Sequence, residues 1–217
     1  MNIEQARFNM IEQQIRPWDV LDAGVLALLA VVKREDFVPA AYKGLAFTDT
    51  EVPLAGGQQM LAPRVEARLL QELKIARHEK VLEVGAGSGF MAALLGHRAQ
   101  KVFSLEVQPE LVALANDNLK RAGVRNVNVL AQDGSQGLAG EAPFDAILLS
   151  GSVAEVPAKL LNQLKVGGRL AAIVGEEPVM RAQLISRVSE KEFRTSHLFD
   201  TVAPRLQGFA ESSAFKF

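Results

Sequence analysis

Val81-Leu82-Glu83-Val84-Gly85-Ala86-Gly87-Ser88-Gly89-Phe90 is the stretch that decides the fold. An apolar run ends in a glycine-rich turn, and a helix-like stretch at residues 91–97 follows. That order reads as the first strand, loop and helix of a nucleotide-binding α/β domain. The glycines let the backbone turn tightly and lie close to a ligand that a side chain would push away. The spacing departs from the dinucleotide pattern G-x-G-x-x-G, which would put its third glycine at position 90. Here the third glycine is Gly89, and position 90 is Phe.

The pattern E-x-G-x-G-x-G, starting at Glu83, resembles the first motif of S-adenosylmethionine-dependent methyltransferases. The resemblance implies that Gly85, Ala86, Gly87, Ser88 and Gly89 carry the amino-acid part of a cofactor without a pyrophosphate. Working outward, Val102-Phe103-Ser104-Leu105-Glu106 is a short apolar stretch that ends in an acid, with Val107 beside it. Glu106 lies about 20 residues beyond the loop, where such folds place a carboxylate against the ribose hydroxyls. A carboxylate accepts from both hydroxyls at once; the alternative is a solvated acid at a strand end. Residues 127–130 form a third strand, followed by Ala131-Gln132-Asp133-Gly134. Asp133 is placed to accept from an adenine amino group, or else Asp133-Gly134 is a plain turn. Residues 144–149 form a fourth strand that ends in Ser150-Gly151-Ser152, near the expected reaction centre.

Composition bounds the alternatives. With 217 residues, 48% of them hydrophobic and 23% charged, the chain can bury one large core. The expectation is one domain over residues 1–217, with a helical, substrate-side elaboration at 1–75 and a cofactor-binding α/β core at 76–217. No apolar run reaches the ~18 residues of a membrane span, and residues 21–32 are interrupted by Asp22. The first residues lack the charged and apolar regions of a secretion signal, so a cytoplasmic location is expected. The absence of cysteine excludes disulfides, thiolate metal sites and cysteine nucleophiles. His78, His97 and His197 are widely spaced, and no metal site is expected. A net charge of −1 with mixed signs argues against a nucleic-acid partner. Lys120, Arg121 and Arg125 lie at the end of a helix over residues 110–122, where cations suit the helix dipole.

Residues 3–15 read as an amphipathic helix stopped by Pro17, and 22–33 as a second, capped by Asp19 or Asp22. Residues 34–53 are loop-rich, Gly56-Gly57-Gln58-Gln59 is a flexible turn, and Pro63 starts a helix to about Leu73. Alternating strands and helices over residues 80–174 predict a Rossmann-like, doubly wound, mostly parallel sheet. Gly167-Gly168 is a turn before a strand at 169–174. Residues 193–199 and 208–217 read as two further strands, antiparallel in part, the last an edge strand with Phe215 and Phe217 alternating around Lys216.

Over residues 20–174 the chain resembles the protein-L-isoaspartate O-methyltransferase family. Ahead of the glycine loop, the resemblance rests on Arg34-Glu35-Asp36-Phe37-Val38-Pro39 and on Pro53-Leu54-Ala55-Gly56-Gly57-Gln58 with Pro63 beyond. It continues through Asp133-Gly134, Ala142-Pro143-Phe144-Asp145-Ala146-Ile147, Gln163-Leu164 and Gly167-Gly168. It implies an α/β/α sandwich on a seven-stranded sheet, with extra N-terminal helices and rearranged C-terminal strands. It implies methyl transfer from S-adenosylmethionine, leaving S-adenosylhomocysteine, to an isoaspartyl carboxylate of a damaged peptide or protein.

The family's active-site segment reads G-Q-T-I-S-Q-P, whereas this chain has Gly57-Gln58-Gln59-Met60-Leu61-Ala62-Pro63. The family threonine falls on Gln59 and its serine on Leu61. The resemblance implies that the serine holds the substrate carboxylate; losing such a bond costs roughly 1.5–3 kcal/mol. Gln58 and Gln59 bring amide donors that compensate, or Leu61 merely caps the pocket. Residues 201–206 align with a segment that holds the substrate main chain. Pro204 lacks an amide hydrogen there, and Arg205 is either a partner for a substrate carboxylate or a solvated charge. Exocyclic-amine enzymes carry Asn/Asp-Pro-Pro-aromatic where this chain has Ser150-Gly151-Ser152, and cytosine C5 enzymes need a cysteine. A different methyl acceptor and a catalytically silent cofactor binder stay open.

Overall fold

The computed structural model describes residues 2–211. At its centre is a seven-stranded sheet in the order β5-β4-β3-β6-β7-β8-β9. The strands are β3 (Lys80–Val84), β4 (Lys101–Glu106), β5 (Val127–Ala131), β6 (Phe144–Val153), β7 (Leu164–Glu176), β8 (Val179–Arg187) and β9 (Phe193–Asp200). The first five run parallel, β8 runs antiparallel to β7, and β9 antiparallel to β8. Both faces are covered, so β3 and β6 are apolar along nearly their whole length. Val81, Ala146, Leu148, Ala171 and Ile173 pack into one core with the N-terminal helices. Their neighbours Leu82, Ile147, Leu149, Leu170 and Ala172 pack into a second core on the other face. This is the α/β/α arrangement expected from the sequence.

Two helices follow the first two strands: α4 (Phe90–Arg98) follows β3, and α5 (Pro109–Arg121) follows β4. The N-terminal residues start as α1 (Ile3–Asn9), which widens into a π turn over Met10–Ile15 before Pro17. Helix α2 (Ala23–Val31) is capped by Asp22, whose Oδ1 accepts from Val25 N at 2.8 Å. Asp19, the other candidate, adopts a left-handed conformation with φ 65°. A small ribbon, β1 (Val52–Pro53) against β2 (Gln59–Met60), encloses the Gly56-Gly57 turn and leads into α3 (Pro63–Leu73).

The C-terminal half differs from the sequence expectation. Strand β8 was not anticipated, yet it pairs with β7 from Arg169↔Ser186 to Glu176↔Val179. Its mixed V-M-R-A-Q-L-I-S-R run suits a strand with one face half exposed, so apolar content alone hides it. Residues 208–211 form a turn and no strand; the rest of the expected final strand lies outside the described residues. Gly167-Gly168 is a bulge within β7, between the pairs Phe144↔Leu164 and Ala146↔Arg169. No helix among the described residues is long and apolar enough to cross a membrane.

Candidate active site

The site lies above the carboxyl ends of β3, β4 and β6. The chain leaves β3 for β4 on one side and reaches β6 on the other, so a crevice opens there. Gly85 N and Ala86 N donate to Leu105 O at 2.8 and 3.2 Å, which folds the glycine loop over the end of β4. Gly89 has φ +82°, and a Cβ there would stand 3.1 Å from the Cα and O of Ala115 on α5. Only glycine permits both that conformation and that approach. Glu106 accepts from Gly87 N and Gln108 N, both at 3.0 Å, one on each carboxylate oxygen. Each oxygen keeps a lone pair for a further donor.

Two adjoining cavities share Gly85. The first is lined by Gln59, Leu61, Glu66, the loop residues Ala86, Gly87 and Ser88, and Ser150. The second is lined by Gln58, Glu106, Val107, Gly134, Leu206 and Gln207. Most of the residues singled out in the sequence thus meet in one crevice. Three stand apart from its walls. Gly89 packs against α5. Asp133 is exposed, and its Oδ1 caps the following turn through Ser135 N at 2.8 Å, which leaves Oδ2. Glu83 is fully buried behind the first cavity and accepts from Ser104 Oγ at 2.6 Å and Ser150 Oγ at 2.8 Å.

The electrostatics are unusual for so small a space. Burial pushes the Glu83 carboxyl up to about 8, and the nearby Glu66 and Glu106 add to the effect against the two serine hydroxyls. Burial likewise pushes Glu66 up to about 7, although Arg34 opposes it. Arg34 donates through Nη1 to Glu66 and through Nη2 to the Leu61 carbonyl at 2.9 Å. Its guanidinium lies 5.1 Å from the centroid of the Phe90 ring. Reading the sequence assigned no role to Glu66 and saw Arg34 only as part of a motif. The signal was present: Glu66 shares an apolar stripe of α3 with Leu69, Leu70 and Leu73, at i, i+3, i+4 and i+7.

On the β2 side of the first cavity, Leu61 is buried and its carbonyl is taken by Arg34, so it presents only apolar surface. Gln59 is exposed beside it and Gln58 half-buried. Residues 203–206 are engaged along the side that faces β6. Ser152 N donates to Pro204 O at 2.7 Å, Leu206 N to Ser152 O at 2.9 Å, and Ser152 Oγ to Ala203 O at 2.8 Å. The segment therefore closes the fold over Gly85, where a Cβ would stand 2.7 Å from Leu206 Cδ2. Arg205 bonds the Gly175 carbonyl at 3.0 Å and lies 3.9 Å from Glu176, so it is engaged within the chain. Among the described residues no group of three or more His, Asp or Glu side chains is arranged to hold a metal.

A family model described as protein-L-isoaspartate(D-aspartate) O-methyltransferase matches residues 5–202. A Koribacter versatilis protein-L-isoaspartate O-methyltransferase is 41% identical over 89% of this chain and 87% of its own. One from Methanoculleus marisnigri is 42% identical over 78% of this chain and 77% of its own. Among solved structures, a Plasmodium falciparum chain assigned as a protein-L-isoaspartate O-methyltransferase, in complex with S-adenosyl-L-homocysteine, superposes with a TM-score of 0.79. It is 22% identical and covers 95% of this chain and 99% of its own, which speaks to the fold alone.

Proposed function

Since the chain belongs to the protein-L-isoaspartate(D-aspartate) O-methyltransferase family, we propose that it methylates isoaspartyl carboxylates of damaged proteins from S-adenosylmethionine. The observation that carries this reading is Glu106. Its carboxylate stands in the wall of the second cavity, tied to the glycine loop at Gly87. Glu106 would hold the ribose hydroxyls, with Val107 and Gly134 flanking the base and the Oδ2 of Asp133 at the rim. Gly85, Ala86, Gly87 and Ser88 would cradle the amino-acid part in the first cavity, held in place from behind by Glu83 and by Gly89.

Bound S-adenosylmethionine supplies a methyl group on a positively charged sulfur. An acceptor carboxylate with a pKa near ~4 is already ionised at neutral pH and needs no general base. What the chain must do is bring the two into contact and exclude water. Leu61 and Met60 give the crevice a dry wall, both nearly fully buried. Gln58 and Gln59 are the side-chain amides placed to hold the acceptor. The activity is placed in the cytoplasm, on peptide or protein substrates, with no nucleic-acid or membrane partner.

Leu61 favours a second reading, a different acceptor on the same cofactor site or a silent binder, because it offers no donor where the family has serine. The test is transfer of labelled methyl from S-adenosylmethionine to an isoaspartyl peptide, with the aspartyl peptide as control. Selective, base-labile labelling is expected. Cofactor binding without labelling sinks the isoaspartyl assignment.

A further inference from the structure

The function proposed above gives no task to Glu66. This side chain is 4% exposed and stands in the wall of the first cavity. Its Oε2 is held by Arg34. Among the described residues no donor reaches its Oε1, which keeps access to the cavity.

The charges around this space have one sign in excess. Arg34, from the turn after α2, is the only guanidinium in contact with Glu66 among the described residues. Against it stand Glu66 on α3, Glu83 on β3 and Glu106 on β4, and Glu66 and Glu106 both add to the raised proton affinity of Glu83. The loop residues 85–88, the β2 end and the first residues of α4, Phe90 and Met91, bring no charge. The cavity is therefore suited to a cation or a strong donor at its Glu66 end and disfavours an acceptor carboxylate there.

We infer that Glu66 receives the ammonium group of the cofactor's amino-acid part, with Oε1 as the acceptor atom. This rests on the cofactor reading above and adds a residue to it. The placement follows from the order of the two cavities. Glu106 marks the ribose end, Gly85 is the junction, and Glu66 lies in the cavity beyond it. Accepting a cation favours the ionised form of a carboxyl that burial otherwise holds back, so binding releases a proton near neutral pH. Affinity then rises between pH 6 and pH 8.

The test compares S-adenosylhomocysteine with 5′-methylthioadenosine, which lacks the amino-acid part. Titration calorimetry on the wild type at pH 7, in buffers of different ionisation heat, should show proton release with the first ligand and not the second. Glu66→Gln should weaken S-adenosylhomocysteine about tenfold or more and leave methylthioadenosine unchanged, which also reports that the variant is folded. Equal weakening of both ligands, or of neither, overturns the inference. So does an unchanged cofactor affinity with a raised KM for a cationic acceptor, which would move Glu66 to acceptor recognition. Failure of the wild type to bind either ligand would bring down the cofactor reading itself. If Glu66→Gln does not fold, the wild-type comparison of proton release decides alone.

Discussion

Replacing Arg34 by Met tests whether the guanidinium serves to neutralise Glu66. Arg34 is 1% exposed. The substitution removes its charged bond to Glu66, its 2.9 Å bond to the Leu61 carbonyl and its position 5.1 Å over Phe90. Breaking a buried pair costs about 3–5 kcal/mol when the partner left behind stays charged. Glu66 has an escape, because burial already pushes it up to about 7 with Arg34 present. Without the guanidinium it stays protonated to still higher pH. At pH 6 the loss is then mainly that of the hydrogen bonds, about 2 kcal/mol. At pH 9 the carboxyl is ionised or carries the cost of holding its proton, and the loss reaches about 4 kcal/mol. A carboxyl whose folded pKa is raised favours folding below its unfolded value, and that advantage is lost as pH rises through the folded value. Raising the folded value further extends the loss upward, so the gap between wild type and variant widens with pH. For a chain of 217 residues, 2 kcal/mol lowers the Tm by about 4–8 °C. Urea midpoints and thermal unfolding followed by circular dichroism at pH 6 and pH 9 measure both values. The pair Arg34→Met with Glu66→Met should recover most of the loss at pH 9. An equal loss at both pH values, with no recovery in the double variant, would refute the idea that Arg34 compensates the Glu66 charge.

Gly89→Ala places a Cβ at φ +82° and 3.1 Å from the Ala115 backbone; the left-handed strain is about 1–2 kcal/mol, and α5 must also shift. A drop of about 3 kcal/mol in urea unfolding is expected, with loss of S-adenosylhomocysteine binding, and wild-type stability would contradict the packing argument. Leu61→Ser returns a hydroxyl to the family position at a buried site, costing about 2–4 kcal/mol of stability through the space left behind. It should lower KM for an isoaspartyl peptide about tenfold; an unchanged KM would mean that the acceptor carboxylate lies elsewhere. Burial raises Glu79, but its bonds to Arg169 and to Ala76 N outweigh that and hold it below 4.5. Asp145 is likewise held below 3.8 by Lys165 and Lys80 N against burial. Depressed carboxyls favour folding above their unfolded values and lose that contribution as pH falls through the folded ones. Acid unfolding should therefore set in below about pH 4, and Glu79→Gln should flatten that limb of a Tm-versus-pH curve.

How much was legible in advance depends on whether the signal is local. The turn at Gly85 to Gly89 is read from adjacent residues, because a left-handed backbone and a close approach each demand glycine wherever the rest of the chain lies. The spacing from the loop to Glu106 is equally legible, since one helix and one strand have a fixed length. Strand β8 was missed because its sequence is mixed and its partner β7 supplies the pairing. The pairing of residues 203–206 with β6 was hidden for a similar reason. Their hydrogen bonds go to Ser152, about 50 residues earlier, and no local pattern announces that.

The sequence by itself determined the doubly wound class, the cofactor loop, the acid after β4 and the family, because strand periodicity, glycine conformation and motif spacing are properties of short segments. Only the tertiary structure decided that Glu66 and Glu83 stand behind one cavity with Arg34 as the sole guanidinium against Glu66 among the described residues. Glu66 and Glu83 acquire raised proton affinities only when folding removes water from around them. Desolvation and Coulomb interaction depend on distances in space, which α3, β3 and the turn at Arg34 set together.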